Sequence, residues 1–300
     1  MKKKVAIVAS VIVVALAIIA IVVFKVASKD DTYRLLKVFE FEGDGNVMRG
    51  SIGDIEPYEN MVLESGDQIS LVSGTFTIRA DEDKYIYLED GTTLYLNASG
   101  DAENSKTTIQ LIDGAITNEI QNKLSLDSSY EVNTPNSTMS VRGTIFRVCV
   151  YEENGIKYTK VCVFDGGVDT SLVFKNTGDT GNEVRVEKGK EVIIFEDDTT
   201  VDYVAEPTDI DYEGLPTDVL EALLELIDEG RDIDASRELI EEILNKEYTV
   251  TFTYNGNVFG TQTIKRGDYA VVPTLQPAAT GSWAFDFDTR IEKDTEIEWN

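Results

Sequence analysis

Any chemistry in this 300-residue chain has to be done without histidine, because there is none. That removes the usual general base, the usual zinc ligand and every Ser-His or Cys-His dyad. Cys149 and Cys162 are the only thiols, too few for a thiolate metal cluster. Catalysis would rest on carboxylates, lysine or tyrosine. With 55 Asp and Glu residues, some pair always stands at a spacing suited to acid-base work, so such a pair indicates nothing by itself. The expectation is a protein that is not an enzyme, with no catalytic residue, cofactor or metal. Only 27 Lys and Arg oppose those acids, a formal charge of -28. No basic stripe exists to displace counterions, which excludes nucleic acid as a partner. The charge instead keeps an exposed body soluble and self-repelling.

The elements that position this material begin with an apolar run. Residues 5–24, Val5 to Phe24, contain Ser10 as their one polar residue. Twenty helical residues reach about 30 Å, the thickness of a bilayer core. The spacing predicts a single transmembrane helix, because lipid offers the backbone no hydrogen-bond partners. Lys2, Lys3 and Lys4 in the 1–4 stub place the N-terminus in the cytoplasm and the body outside, at the cell membrane. Cleavage after Val26-Ala27-Ser28 is the competing reading, but the run exceeds the roughly 7–15 residues of a signal peptide.

Beyond the helix, alternating runs such as Gln68–Val72, Lys84–Leu88, Thr93–Leu96 and Thr108–Ile112 predict antiparallel strands over residues 30–205. Turn signals at Glu89-Asp90-Gly91, Asn97-Ala98-Ser99-Gly100 and Asp113-Gly114 separate them. One hairpin brackets Asn154-Gly155. A two-residue turn there sets Cys149 opposite Lys160. A four-residue loop sets Cys149 opposite Cys162, Val148 opposite Val163 and Val150 opposite Val161. The second register matches apolar with apolar and is the one expected. The cysteines then form a cross-strand pair, either a disulfide worth about 2–3 kcal/mol or two small buried reduced side chains. Residues 206–247 change period. Val219, Leu220, Leu223, Leu224 and Ile227 suggest one helix ended by Gly230. Leu239, Ile240, Ile243 and Leu244 suggest a second after Ser236, giving a short helical hairpin.

Val132, Thr134 and Pro135, followed by Val141, Arg142, Gly143, Thr144, Phe146 and Val148, form a V-x-T-P…V-R-G-T-x-F-x-V pattern. This pattern resembles the FecR domain family, and the likeness extends over about Ser65 to Phe195. The motif is expected to be structural. Gly143 permits a bend, Phe146 and Val148 enter a core, and Arg142 pairs with a carboxylate or caps carbonyls. Known members regulate sigma factors through a cytoplasmic segment. The four residues before the helix here are too few for that role. Residues 248–300 resemble an internalin-type B repeat through Tyr248–Gly256, Thr263–Asp268, Pro273, Pro277, Phe285–Thr289 and Trp299. Trp283 and Phe285 are expected to share one core. That resemblance implies a small β-grasp-like module.

The expected fold class is mainly β: one N-terminal transmembrane helix, an antiparallel FecR-like domain, a helical hairpin and a small C-terminal repeat. The expected role is a non-enzymatic, membrane-anchored surface protein binding or sensing a cell-envelope glycan or protein. Tyr85, Tyr87 and Tyr95 are candidates for stacking on sugars. The alternatives are a transmembrane signalling component acting through a partner membrane protein, and a structural spacer.

Overall fold

A computed structural model describes residues 35–101, 104–174, 178–195, 206–278 and 280–300. The stub and the spanning helix expected at 1–24 lie outside these residues. Among the described residues, no helix is long and apolar enough to cross a membrane.

The chain is mainly β, and most of it is one 14-stranded sheet folded over onto itself. Three long strands do the folding: β1 (Leu36–Arg49), β3 (Asp67–Ala80) and β6 (Lys106–Ile120). Each belongs to two layers. In the first layer, the near part of β3 pairs with β5 (Thr92–Ser99), and β5 pairs with the near part of β6. That layer continues through β7 (Ser129–Asn133), β8 (Ser137–Val141), β11 (Gly167–Val173) and β12 (Thr180–Glu187). The short β2 (Gly53–Ile55) closes its other side on β1. In the second layer, the far part of β3 pairs with β4 (Lys84–Leu88), and β4 with the far part of β6. β9 (Ile145–Glu153), β10 (Ile156–Asp165), β13 (Lys190–Phe195) and β14 (Thr208–Asp209) complete it.

A strand can turn such a corner only where the backbone bends sharply. Gly43 and Gly74 face each other across β1 and β3, at φ 116° and 112°. A Cβ on Gly74 would lie 2.1 Å from the Glu42 carbonyl oxygen. On β6 the corner is Gly114, at φ 84°, where a Cβ would meet Thr92 Cα at 2.5 Å. The turn expected at Asp113-Gly114 is therefore a bend inside one continuous strand, with the ladder resuming on β9.

Alternate residues of both layers point inward and form one core. Ile69, Leu94, Ile109 and Val132 come from the first layer, and Ile78, Ile86, Phe146 and Val148 from the second. Within this core, Tyr130 Oη donates to Asn118 Oδ1 at 2.8 Å.

A two-helix hairpin covers part of the second layer's outer face. α1 (Thr217–Asp228) and α2 (Arg237–Leu244) pack Leu220, Leu223, Ile240 and Ile243 against Ile145, Cys162 and Phe164. Gly230 follows α1 at φ 82°, and the Ser236 hydroxyl caps α2 by accepting from Leu239 N. Between them, Arg231 Nη2 reaches the buried carboxylate of Glu119 on β6 at 2.5 Å.

The C-terminal residues form a separate three-stranded sheet in the order β16 (Asn257–Lys265), β15 (Glu247–Tyr254), β17 (Thr295–Glu298). β17 runs parallel to β15. Its core is aromatic: Phe252, Trp283 and Trp299 are buried, with Phe285 and Phe287 packed against them. Trp283 and Phe285 thus share one core. Their segment makes one isolated bridge, from Trp283 to Trp299, rather than a strand.

Arg266 joins this sheet to the helices. Its guanidinium donates to the carbonyls of Leu215 and Glu213 and to the Thr217 hydroxyl. It also stands 2.9 Å from Glu292 Oε2, with its side chain only 1 % exposed. Glu292 Oε1 accepts from the backbone N–H of Thr217 at 3.0 Å. The N-terminus of α1, whose own N-cap Pro216 offers no side-chain acceptor, is thereby capped from another element.

Candidate functional site

The V-x-T-P half of the motif closes one end of the sandwich. Val132 lies in the core, while Thr134 and Asn136 sit in the tight connection between β7 and β8. The Thr134 and Thr159 hydroxyls are 2.8 Å apart. The Asn136 amide donates to the carbonyls of Lys157 and Ile194 at 2.9 and 3.1 Å. These bonds tie the first layer to β10 and β13 of the second. Pro135 is the exposed residue between the two. A buried polar knot of this kind holds position because every unmade bond would cost about 1–3 kcal/mol.

The V-R-G-T half carries the chain from layer to layer. Val141 ends β8 in the core, and Gly143 turns at φ 87° with Lys123 Cα close behind it. The buried Thr144 hydroxyl donates to Gly167 O at 3.0 Å, and the strand then delivers Phe146 and Val148 to the core. Arg142 is different. It is exposed, and among the described residues it has no hydrogen-bond or ion-pair partner. Every other described arginine donates to a carboxylate or a carbonyl. The pairing expected for Arg142 is not made; Arg142 follows Val141, where the ladders of β8 to β7 and β11 end.

The free guanidinium lines a cleft of about 590 Å³ on the outer face of the first layer. The strand registers build its floor. Asn97 lies opposite Thr108, which lies opposite Glu131; in the next row Ser99 and Ser129 flank Lys106. The wall is the turn before β7, where Ser128 N donates to Ser125 O and Ser105 N donates to Ser128 Oγ. Leu126 at its tip is 86 % exposed. The lining is mostly hydroxyl, amide and charge, with no thiol and no histidine. Such a site can bind a polar molecule, but it has no activated nucleophile. Sequence reasoning singled out Arg142 but missed the cleft, since the floor comes from three strands whose registers are not local information.

The tyrosines do not converge. Tyr85 and Tyr87 stack on each other on the second layer's outer face, with ring centroids 6.3 Å apart. Phe39 meets Tyr85 edge-on. Tyr87 Oη donates to Glu119 Oε2, and burial, then the Glu119 charge, raises its hydroxyl pKa. Tyr95 is on β5, on the outer face of the other layer, with Gln68 and Gln110 opposite it.

The cysteine hairpin takes the other register. Cys149 lies opposite Lys160 and Cys162 opposite Arg147, and both thiols are free. A slip of two residues keeps every side chain on its own face, so burial does not separate the two registers. The turn does. Asn154 and Gly155 adopt φ 53° and 81°, the two-residue hairpin turn whose twist suits its strands. Tyr151 then stacks on Tyr158 across the pair at 5.2 Å. Burial first, and then the Glu191 carboxylate, push the Cys162 thiol up to about 12. Burial also raises Cys149. Protein isolated without reductant and then denatured should therefore release two titratable thiols. In the native state at pH 8, iodoacetamide should leave Cys162 unlabelled, because the thiolate is the reactive species. Zero thiols after denaturation, or rapid native labelling of Cys162, would contradict the structure.

Among the described residues, no group of three or more Cys, Asp or Glu side chains is placed to hold a metal ion. No curated protein matches the chain. It is similar to a crystal structure described as a "putative anti-sigma factor" from Parabacteroides distasonis ATCC 8503 at 1.65 Å resolution. That likeness has 10 % identity, covers 78 % of this chain and 98 % of that one, and has a TM-score of 0.41. A 2.50 Å structure from the same source matches over 77 % and 97 %, with the same identity and TM-score. Residues 73–169, from the corner of β3 to β11 and including the whole V-x-T-P…V-R-G-T pattern, match the family model described as FecR protein.

Proposed function

We propose that this chain is a signalling component of the cell envelope, anchored by the apolar run at Val5–Phe24 and acting through a partner membrane protein. The observation that carries the reading is the FecR match over residues 73–169. That motif is spent on building a rigid corner, and it leaves one free arginine at a polar cleft. Such an arrangement supports reading the body as one that recognises and reports. The body lies outside the cell and the N-terminus in the cytoplasm, as Lys2, Lys3 and Lys4 favour. A regulatory role of this kind fits the family match better than a surface protein that only binds.

The helical hairpin serves as a connector, and residues 248–300 serve as an internalin-type B repeat. That reading rests on the sequence resemblance; the segment itself is the hairpin β15–β16 with β17 parallel to β15 around an aromatic core. The FecR match ends before that segment.

A photo-crosslinking residue at Val13 of the full-length chain, in intact cells, tests the signalling reading. It should capture one discrete membrane protein, and the same residue moved to an unrelated single-span protein should not. If only lipid is captured, the partner-helix mechanism is wrong.

A further inference from the structure

We propose that the cleft beside Arg142 binds an acidic saccharide: a polyhydroxylated sugar unit carrying a single carboxylate, of the hexuronic acid class. This names what the outer body detects, and it rests on the signalling reading only for its biological use.

The free guanidinium decides the charged end. Arginine presents a planar fork that matches a carboxylate with two parallel bonds. In a chain of net charge -28, every other described arginine is already occupied by a carboxylate or carbonyl. Lys106, on β6, lines the same cleft. The ligand's charge must nonetheless be small. Glu131 and Asp127 line the cleft too, and their repulsion rises with each negative charge brought in. A sugar acid with one carboxylate per ring fits that balance, whereas a polyphosphate does not.

The rest of the lining decides the body of the ligand. Drug-like sites of roughly 300–1,000 Å³ are mostly apolar, with a few polar anchors. This cleft has the volume, about 590 Å³, but reverses the lining, presenting Asn97, Ser99, Thr108 and Ser129 from adjacent strands. Such a surface leaves its own donors and acceptors poorly matched by an apolar guest. It suits a guest that carries a hydroxyl on nearly every carbon. Tyr95 precedes Asn97 by two positions on β5 and is exposed on the same face. It offers a ring on which the apolar side of a neighbouring sugar can stack. The cleft opens to solvent. A free sugar acid and an acidic polysaccharide share this chemistry, and ligand length separates them.

The test uses the full chain in detergent, with no partner present, and calorimetric titration of oligogalacturonates of one to four units. Neutral galactose oligomers of equal length and inorganic phosphate serve as comparisons. The expected result is binding that strengthens with length, falls about tenfold or more in the neutral series and is absent for phosphate. Arg142→Ala should remove the preference for the acid, and Arg142→Lys should restore part of it. The substitution is at an exposed, unpaired side chain, so the thermal midpoint should stay at the parent's value. Equal binding by parent and Arg142→Ala, no binding of any uronate, or equal binding of phosphate would each overturn the proposal. None of these outcomes touches the Val13 capture, so the two readings fail separately.

Discussion

Replacing Arg266 by alanine should detach the C-terminal sheet from the helical hairpin while leaving each of them folded. The side chain is nearly inaccessible and binds the carbonyls of Glu213 and Leu215, the Thr217 hydroxyl and the Glu292 carboxylate together. Removing one partner of a buried pair strands the other, at a cost of about 3–5 kcal/mol when both are fully buried. Glu292 is one-third exposed, so about 3 kcal/mol is the better expectation, after discounting for solvent. Lysine keeps the charge but loses the fork, and should recover only part of the effect. Chemical denaturation should resolve two transitions in place of one. Limited proteolysis should open a new cleavage site near Lys246, where the connector meets β15. A single unchanged transition would show that the sheet is held by other contacts.

The second large effect is expected at the corner of β1 and β3. Gly74→Ala places a Cβ 2.1 Å from a backbone oxygen, in a conformation at φ 112° that other residues rarely adopt. Neither strand can retreat without giving up the ladder on both sides. The backbone strain is about 1–3 kcal/mol and the overpacking a further 1–3 kcal/mol, so a loss of about 3–5 kcal/mol is expected. For a body of this size that is about 10 °C or more in Tm. Gly91→Asn is the control, because Gly91 has φ 74° with nothing within 4 Å of a Cβ. It should cost under about 1 kcal/mol, since asparagine tolerates that region. Equal, small losses at both positions would remove the steric account of the corner.

How much of this was legible in the sequence depends on how local the information is. Strand positions follow from period-two alternation in runs such as Lys84–Leu88, and the structure has β4 at those residues. The two helices follow from their spacing, with Gly230 and Ser236 as end signals. The cysteine register did not follow, because apolar matching is blind to a slip of two; the Asn-Gly turn carries the answer. Asp113-Gly114 reads as a turn on local chemistry, and only the partner strands reveal it as a corner. Arg142 was visible as the one charged residue of a structural motif. Its freedom was not, because that depends on which carboxylates and carbonyls the tertiary fold brings near it. The cleft and the Arg266 staple were invisible for one shared reason: each gathers residues far apart in the chain.

The three corner strands have a further consequence, for how the body can move. Since β1, β3 and β6 each run through both layers, loss of one layer unpins strands of the other, and the sandwich is expected to unfold as one unit. Low-cost opening is confined to segments outside the ladders, such as the turn that carries Leu126. A binding event at the cleft must therefore act by ordering that rim or by shifting the sandwich as a rigid piece. β6 is well placed for the second: it carries Lys106 at one end and, at the other, Glu119, which grips Arg231 of the helical connector.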